Sequence, residues 1–98
     1  MKPARTLLKA AEVTAELKAL EGWTRLGNGI EKRFAFETYA EGLEFAVRLG
    51  RVADERNHHP DLEIGYCRVK VRWTTHDVGG LTRLDIEGAK LTEASRVP

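Results

Sequence analysis

The chain has 98 residues, 42% hydrophobic and 32% charged, with a formal charge of +1, which suits one ordered domain spanning residues 1–98 and excludes a disordered chain. The near-neutral charge gives no global reason to expect nucleic acid or an anionic membrane as partner, and no apolar run approaches the roughly 20 residues that a membrane span needs. A start without a signal-like apolar stretch and a single cysteine, Cys67, which excludes an internal disulfide, together point to a cytoplasmic protein.

The pattern from about Leu8 to Leu20 predicts a helix, with Val13, Leu17 and Leu20 on one stripe and Glu12, Glu16 and Lys18 off it. Gly22 is placed to end it. Trp23 to Leu26 then read as a short strand. Gly27, Asn28 and Gly29 supply a tight hairpin, and Ile30 to Phe36 return as a second strand, with Ile30, Phe34 and Phe36 opposite Glu31 and Arg33.

Thr38 followed by Glu41 fits a capping box. The helix it opens carries Tyr39, Gly42, Ala46, Leu49 and Ala53 along one stripe, flanked by Phe45 and Val52. Pro60 disfavours helical backbone at His59, so this helix should end at or before His58, freeing the two adjacent imidazoles to address different parts of one ligand. From Ile64 to Thr75 the period is two, with Cys67, Val69, Val71 and Trp73 alternating with Arg68, Lys70 and Arg72. A further strand near Asp61 to Gly65 would complete a set of four. Gly79 and Gly80 break the pattern, and Thr82 with Asp85 caps a last helix that buries Ile86 and Ala89, with Leu81 and Ile86 as a hydrophobic staple.

The chain's three histidines are His58, His59 and His76, all at element ends, where sites tend to be built. A neutral imidazole accepts a proton at one nitrogen while donating at the other, near neutral pH. Three of them suit proton transfer to and from a polar heterocycle, or the holding of a metal ion. Adjacent histidines are awkward co-ligands of one ion, and the H-x-x-x-H helical spacing is absent, which disfavours metal. Alternatively, His58 and His59 are solvent-facing polar residues without a site and His76 is structural. Cys67 falls on the apolar side of its strand pattern, where a thiol is inert. The basic row of Arg68, Lys70 and Arg72 reads as a solvated strand face, as a surface for an acidic partner, or as a weak nucleic-acid contact without the interleaved aromatics of single-strand binders. Asp85 near a helix start is explained by capping alone.

Asp54, His58, His59, Pro60, Tyr66, Trp73, His76 and Asp85 together, with the run Thr75 to Thr82, resemble the pterin-4a-carbinolamine dehydratases. Gly22, Trp23, Phe34, Ala35 and Phe36 fit the same pattern, and the likeness covers nearly the whole chain. The resemblance implies an α+β fold, a four-stranded antiparallel sheet with three helices packed on one face. It implies a dehydratase converting a 4a-hydroxytetrahydropterin to the quinonoid dihydropterin plus water, in tetrahydrobiopterin recycling. It further implies that His58, His59, Pro60 and His76 line the pterin site, with His58 and His76 as the acid/base pair and His59 mainly a substrate contact. Asp85 belongs to the pattern as a structural residue near the site. No metal or organic cofactor is expected, since the pterin is the substrate, and family members form homodimers or homotetramers. The rival from another class is a non-catalytic partner-binding or coactivator-type module on the same fold.

Overall fold

The computed structural model describes residues 5–96. In chain order it contains α1 (Ala10–Leu17), β1 (Thr24–Leu26), β2 (Gly29–Ala35), α2 (Tyr39–Arg56), β3 (Asp61–Gly65), β4 (Arg68–Trp73), a 3-10 turn (His76–Val78) and α3 (Arg83–Ala94). The strands form one antiparallel sheet in the order β1-β2-β4-β3. Ile30, Phe34, Val69, Val71 and Trp73 point to one side of it, where they close on Val13 of α1, Phe45, Leu49 and Ala53 of α2, and Ile86 and Ala89 of α3. The other side carries Glu31 and Arg33 on β2, Glu63 on β3, and Arg68, Lys70 and Arg72 on β4, brought into register across the strands.

Local chemistry sets the helix starts as expected. Thr38 Oγ1 accepts from the Glu41 amide at 3.1 Å while Glu41 Oε1 accepts from the Thr38 amide at 3.0 Å, so each orphan amide finds a side-chain acceptor. Thr82 and Asp85 make the equivalent exchange at α3. At the far end of α2, Asn57 takes the left-handed conformation (φ 52°) and the His58 amide turns back to the Ala53 carbonyl at 3.3 Å, which ends the helix just before the paired histidines.

Four sequence expectations change. The first helix is shorter than Leu8 to Leu20: after Leu17 the chain closes successive tight turns, Leu20 to Leu17 and Trp23 to Leu20, which bury Leu20 and Trp23 without continuing helix or strand. The period-two run is two strands, with Gly65 opposite Arg68 and Tyr66 and Cys67 forming the hairpin turn. Cys67 therefore sits at φ 56° in that turn, half-buried, with its thiol facing the Glu37 carbonyl at 3.6 Å, and not on the apolar face. Tyr39, expected on the buried stripe, is exposed in the first turn of α2.

Candidate active site

The end of α2, the start of β3, the end of β4 and the start of α3 meet around one buried carboxylate. Asp85 is fully buried. Its Oδ2 accepts from the Thr82 amide at 2.9 Å, the capping bond, and from Thr75 Oγ1 at 2.8 Å. Its Oδ1 lies 2.8 Å from His58 Nε2. A carboxylate can only accept, so the hydrogen bond places a proton on Nε2 and leaves Nδ1 of His58 as the free nitrogen. Charge-assisted bonds of this kind are the stronger ones, and a partner with three donors aimed at it has little freedom to turn.

Trp73 fixes the imidazole from its flat side, at 5.4 Å between ring centroids and 25° between planes. The indole is itself held, with Nε1 donating to Thr92 Oγ1 at 2.9 Å, and Thr92 Oγ1 donating on to the Gly88 carbonyl at 2.7 Å. His58 is only 8% exposed. Among the described residues no buried side-chain nitrogen or oxygen lacks a hydrogen-bond partner. The unpartnered Nδ1 therefore accounts for part of the small surface that His58 keeps.

The other two imidazoles are open. His59 Nε2 is 2.9 Å from Asp54 Oδ1, in the last turn of α2, and the His59 side chain is 54% exposed. His76 Nε2 is 3.9 Å from Asp61 Oδ2, with the His76 side chain 73% exposed. Asp61 is two residues beyond His59, across Pro60, so this pairing brings the His76 turn to the strand that leaves the paired histidines. Thr75, the neighbour of His76, shares Asp85 with His58. The three histidines of the sequence thus lie on neighbouring segments, each with its own carboxylate, and burial grades from His58 to His59 to His76.

The side chains of Asp54, Asp61, Trp73 and Thr75 are the parts that sequence reasoning left without a role at the site. Asp54 and Trp73 enter only through the family resemblance. Asp61 and Thr75 stand next to expected site residues, which is the one signal that sequence offered for them. Among the described residues, no group of three or more histidine, cysteine, aspartate and glutamate side chains is arranged to hold a metal ion. The basic row on the open sheet face is largely neutralised: Lys70 pairs with Glu63 at 2.6 Å, and Arg72 with Glu31 at 3.2 Å and Asn28 Oδ1 at 3.1 Å. Lys70's hydrogen bond, ahead of its bare charge, holds the Glu63 carboxyl below the usual glutamate range.

Comparison with known proteins covers almost the entire chain. The family model described as pterin 4 alpha carbinolamine dehydratase matches residues 6–95. A protein of Sulfurisphaera tokodaii named "Putative pterin-4-alpha-carbinolamine dehydratase" is 46% identical over 83 residues, 85% of this chain and 89% of the relative. One of the same name from Natronomonas pharaonis is 47% identical over 79 residues, 81% and 84% of the two chains. A crystal structure of a transcriptional coactivator/pterin dehydratase from Brucella melitensis superposes with a TM-score of 0.88 at 30% identity, covering 92% of this chain and 98% of that one. A pterin dehydratase-like RuBisCO assembly factor of the alpha-carboxysome shares the fold, with a TM-score of 0.61 at 23% identity over 74% of this chain and 84% of its own. The cluster around Asp85 stands in a chain that belongs to the pterin-4a-carbinolamine dehydratase family.

Proposed function

We propose that this protein is an active 4a-hydroxytetrahydropterin dehydratase in which His58 and His76 carry the proton transfers and His59 and Pro60 contact the pterin. The observation that supports it most is the buried bond from His58 to Asp85, which sets the tautomer of one histidine beside two solvent-accessible ones. In the reaction a lone pair on a ring nitrogen of the pterin expels the 4a hydroxyl. The leaving oxygen takes a proton and departs as water, and the ring nitrogen gives up a proton to yield the quinonoid dihydropterin. The free Nδ1 of His58 suits the accepting role, because Nε2 is committed to Asp85. His76, open to solvent beside Asp61, suits delivery to the leaving oxygen. Each positioned acid or base of this kind typically contributes about 10²–10⁴-fold. The chemistry calls on no metal or organic cofactor, and its place would be the recycling of the pterin used by an aromatic amino acid hydroxylase.

A homodimer or homotetramer is part of the same reading. Leu43 and Val47, one turn apart on α2, remain exposed beside a shallow hollow of about 360 Å³ that Glu44, Arg48 and Arg51 complete. The alternative, a non-catalytic module on this fold, would use the open sheet face, and there two of the three basic residues of β4 are already paired.

The test is the decay of a 4a-hydroxytetrahydropterin generated in situ, followed by ultraviolet absorbance with and without the protein and with chelator present. The reading expects acceleration that chelator does not touch. Decay at the spontaneous rate with folded protein would count for the binding module, and chelator-sensitive acceleration for a metal-dependent enzyme.

A further inference from the structure

We propose that the hydroxyl of Thr75 is a positioning group that sets His76 relative to His58, through the single carboxylate that both segments share; this rests on the dehydratase reading above. Thr75 is fully buried, between Trp73 that stacks on one histidine and His76 that is the other. Its Oγ1 donates to Asp85 Oδ2 at 2.8 Å and lies 2.8 Å from Thr82 Oγ1. A hydroxyl has one proton to give. With that proton on Asp85, the bond between the two threonines must run from Thr82 to Thr75, and Thr82 Oγ1 in turn accepts from the Leu84 amide at 3.2 Å. Every donor in the network then has one acceptor, and reversing any link leaves a buried polar group unpaired.

The main chain of Thr75 is used as fully as its side chain. Its amide donates to the Gly80 carbonyl at 3.0 Å, and its carbonyl accepts from Val78 at 3.2 Å and Gly79 at 3.0 Å. These bonds close the 3-10 turn that presents His76. Among the described residues, the 3.9 Å approach to Asp61 is all that steadies the His76 side chain. Its position therefore depends on the turn, and the turn on Thr75. Asp85 gives Oδ1 to His58 and Oδ2 to Thr75, so one rigid carboxylate fixes the spacing of the two segments. Reacting groups held in a defined geometry lose about 10²-fold in rate when displaced by an ångström.

Two substitutions test this. Thr75→Val keeps the shape and removes the hydroxyl, and Thr75→Ser keeps the hydroxyl. In wild type, long-range nitrogen–proton NMR of the imidazoles should show His58 as one tautomer protonated at Nε2. Thr75→Val should leave that tautomer in place, because Asp85 Oδ1 still accepts from Nε2, but should shift the His76 imidazole resonances and lower kcat by at least about tenfold with KM within about threefold, and Thr75→Ser should restore both. A merely structural hydroxyl would lower Tm in the valine variant while leaving the His76 resonances and kcat at wild-type values, and that result would overturn the proposal. So would a shift of the His76 resonances with kcat unaltered. Should the valine variant not fold, the serine variant decides: a tenfold loss of kcat with the hydroxyl retained contradicts the proposal, and a kcat within about threefold of wild type supports it. A wild-type protein without dehydratase activity would refute the function instead, and the His76 resonances would still decide the positioning.

Discussion

Asp85 does two jobs with one side chain. At Oδ2 it closes the capping box of α3, and at Oδ1 it holds the proton of His58 Nε2 in place. Replacing it by asparagine turns one acceptor into a donor, and either His58, or Thr75 and the Thr82 amide, would then face a donor. A buried group left unsatisfied costs roughly 1–3 kcal/mol, so Asp85→Asn should unfold at lower denaturant by that order and lose about 10²-fold in kcat. A variant destabilised by that amount but fully active would show that the carboxylate serves the helix alone. Capping was legible in the sequence because Thr82 and Asp85 are three residues apart and act locally. The bond to His58 was not, because it joins residues 27 apart through the fold.

Among the elements, α3 decides how closely the sheet is approached. Gly88 packs against the Trp73 indole so tightly that a Cβ there would overlap the six-membered ring. Gly88→Ala should push on the indole that steadies His58 and cost about 1–3 kcal/mol of overpacking. Urea midpoints for the variant, at unchanged slope, measure this, and an unaltered midpoint would mean that α3 yields without strain. α3 is also tied to α1, where Glu16 and Arg83 pair at 2.9 Å. Arg83's hydrogen bond outweighs a small burial penalty and holds the Glu16 carboxyl below the usual glutamate range. A carboxyl lowered in the folded state adds stability above the unfolded value and loses it as pH falls through the folded one. Glu16→Gln should therefore show a smaller fall in Tm between pH 6 and pH 3 than wild type, by a modest amount because the pair is partly solvated. An equal or larger fall would contradict the linkage. The β3–β4 turn is where element reading failed. Leu62 and Ile64 lie on even positions and Val69, Val71 and Trp73 on odd ones, so the phase slip between them was the available sign of a turn that Tyr66 and Cys67, lacking Gly or Asn, did not advertise.

At the scale of the whole molecule, the sheet and helices bring His58 to Asp85, His59 to Asp54 and His76 to Asp61 on neighbouring segments, while Leu43 and Val47 stay uncovered on α2. If that helix face joins copies of the chain, light scattering should give a mass above the monomer for wild type and a lower one for Val47→Glu, with dehydration retained in proportion to folded protein. Equal monomer masses would dismiss this face as the contact. The most direct test of the central claim is the single-turnover rate of 4a-hydroxytetrahydropterin dehydration for wild type against His58→Ala, both shown to be folded by near-ultraviolet circular dichroism. A fall of about 10²–10⁴-fold is expected for loss of one positioned acid/base group. A folded His58→Ala protein that turns over at the wild-type rate would contradict the assignment of proton transfer to the imidazole that Asp85 holds.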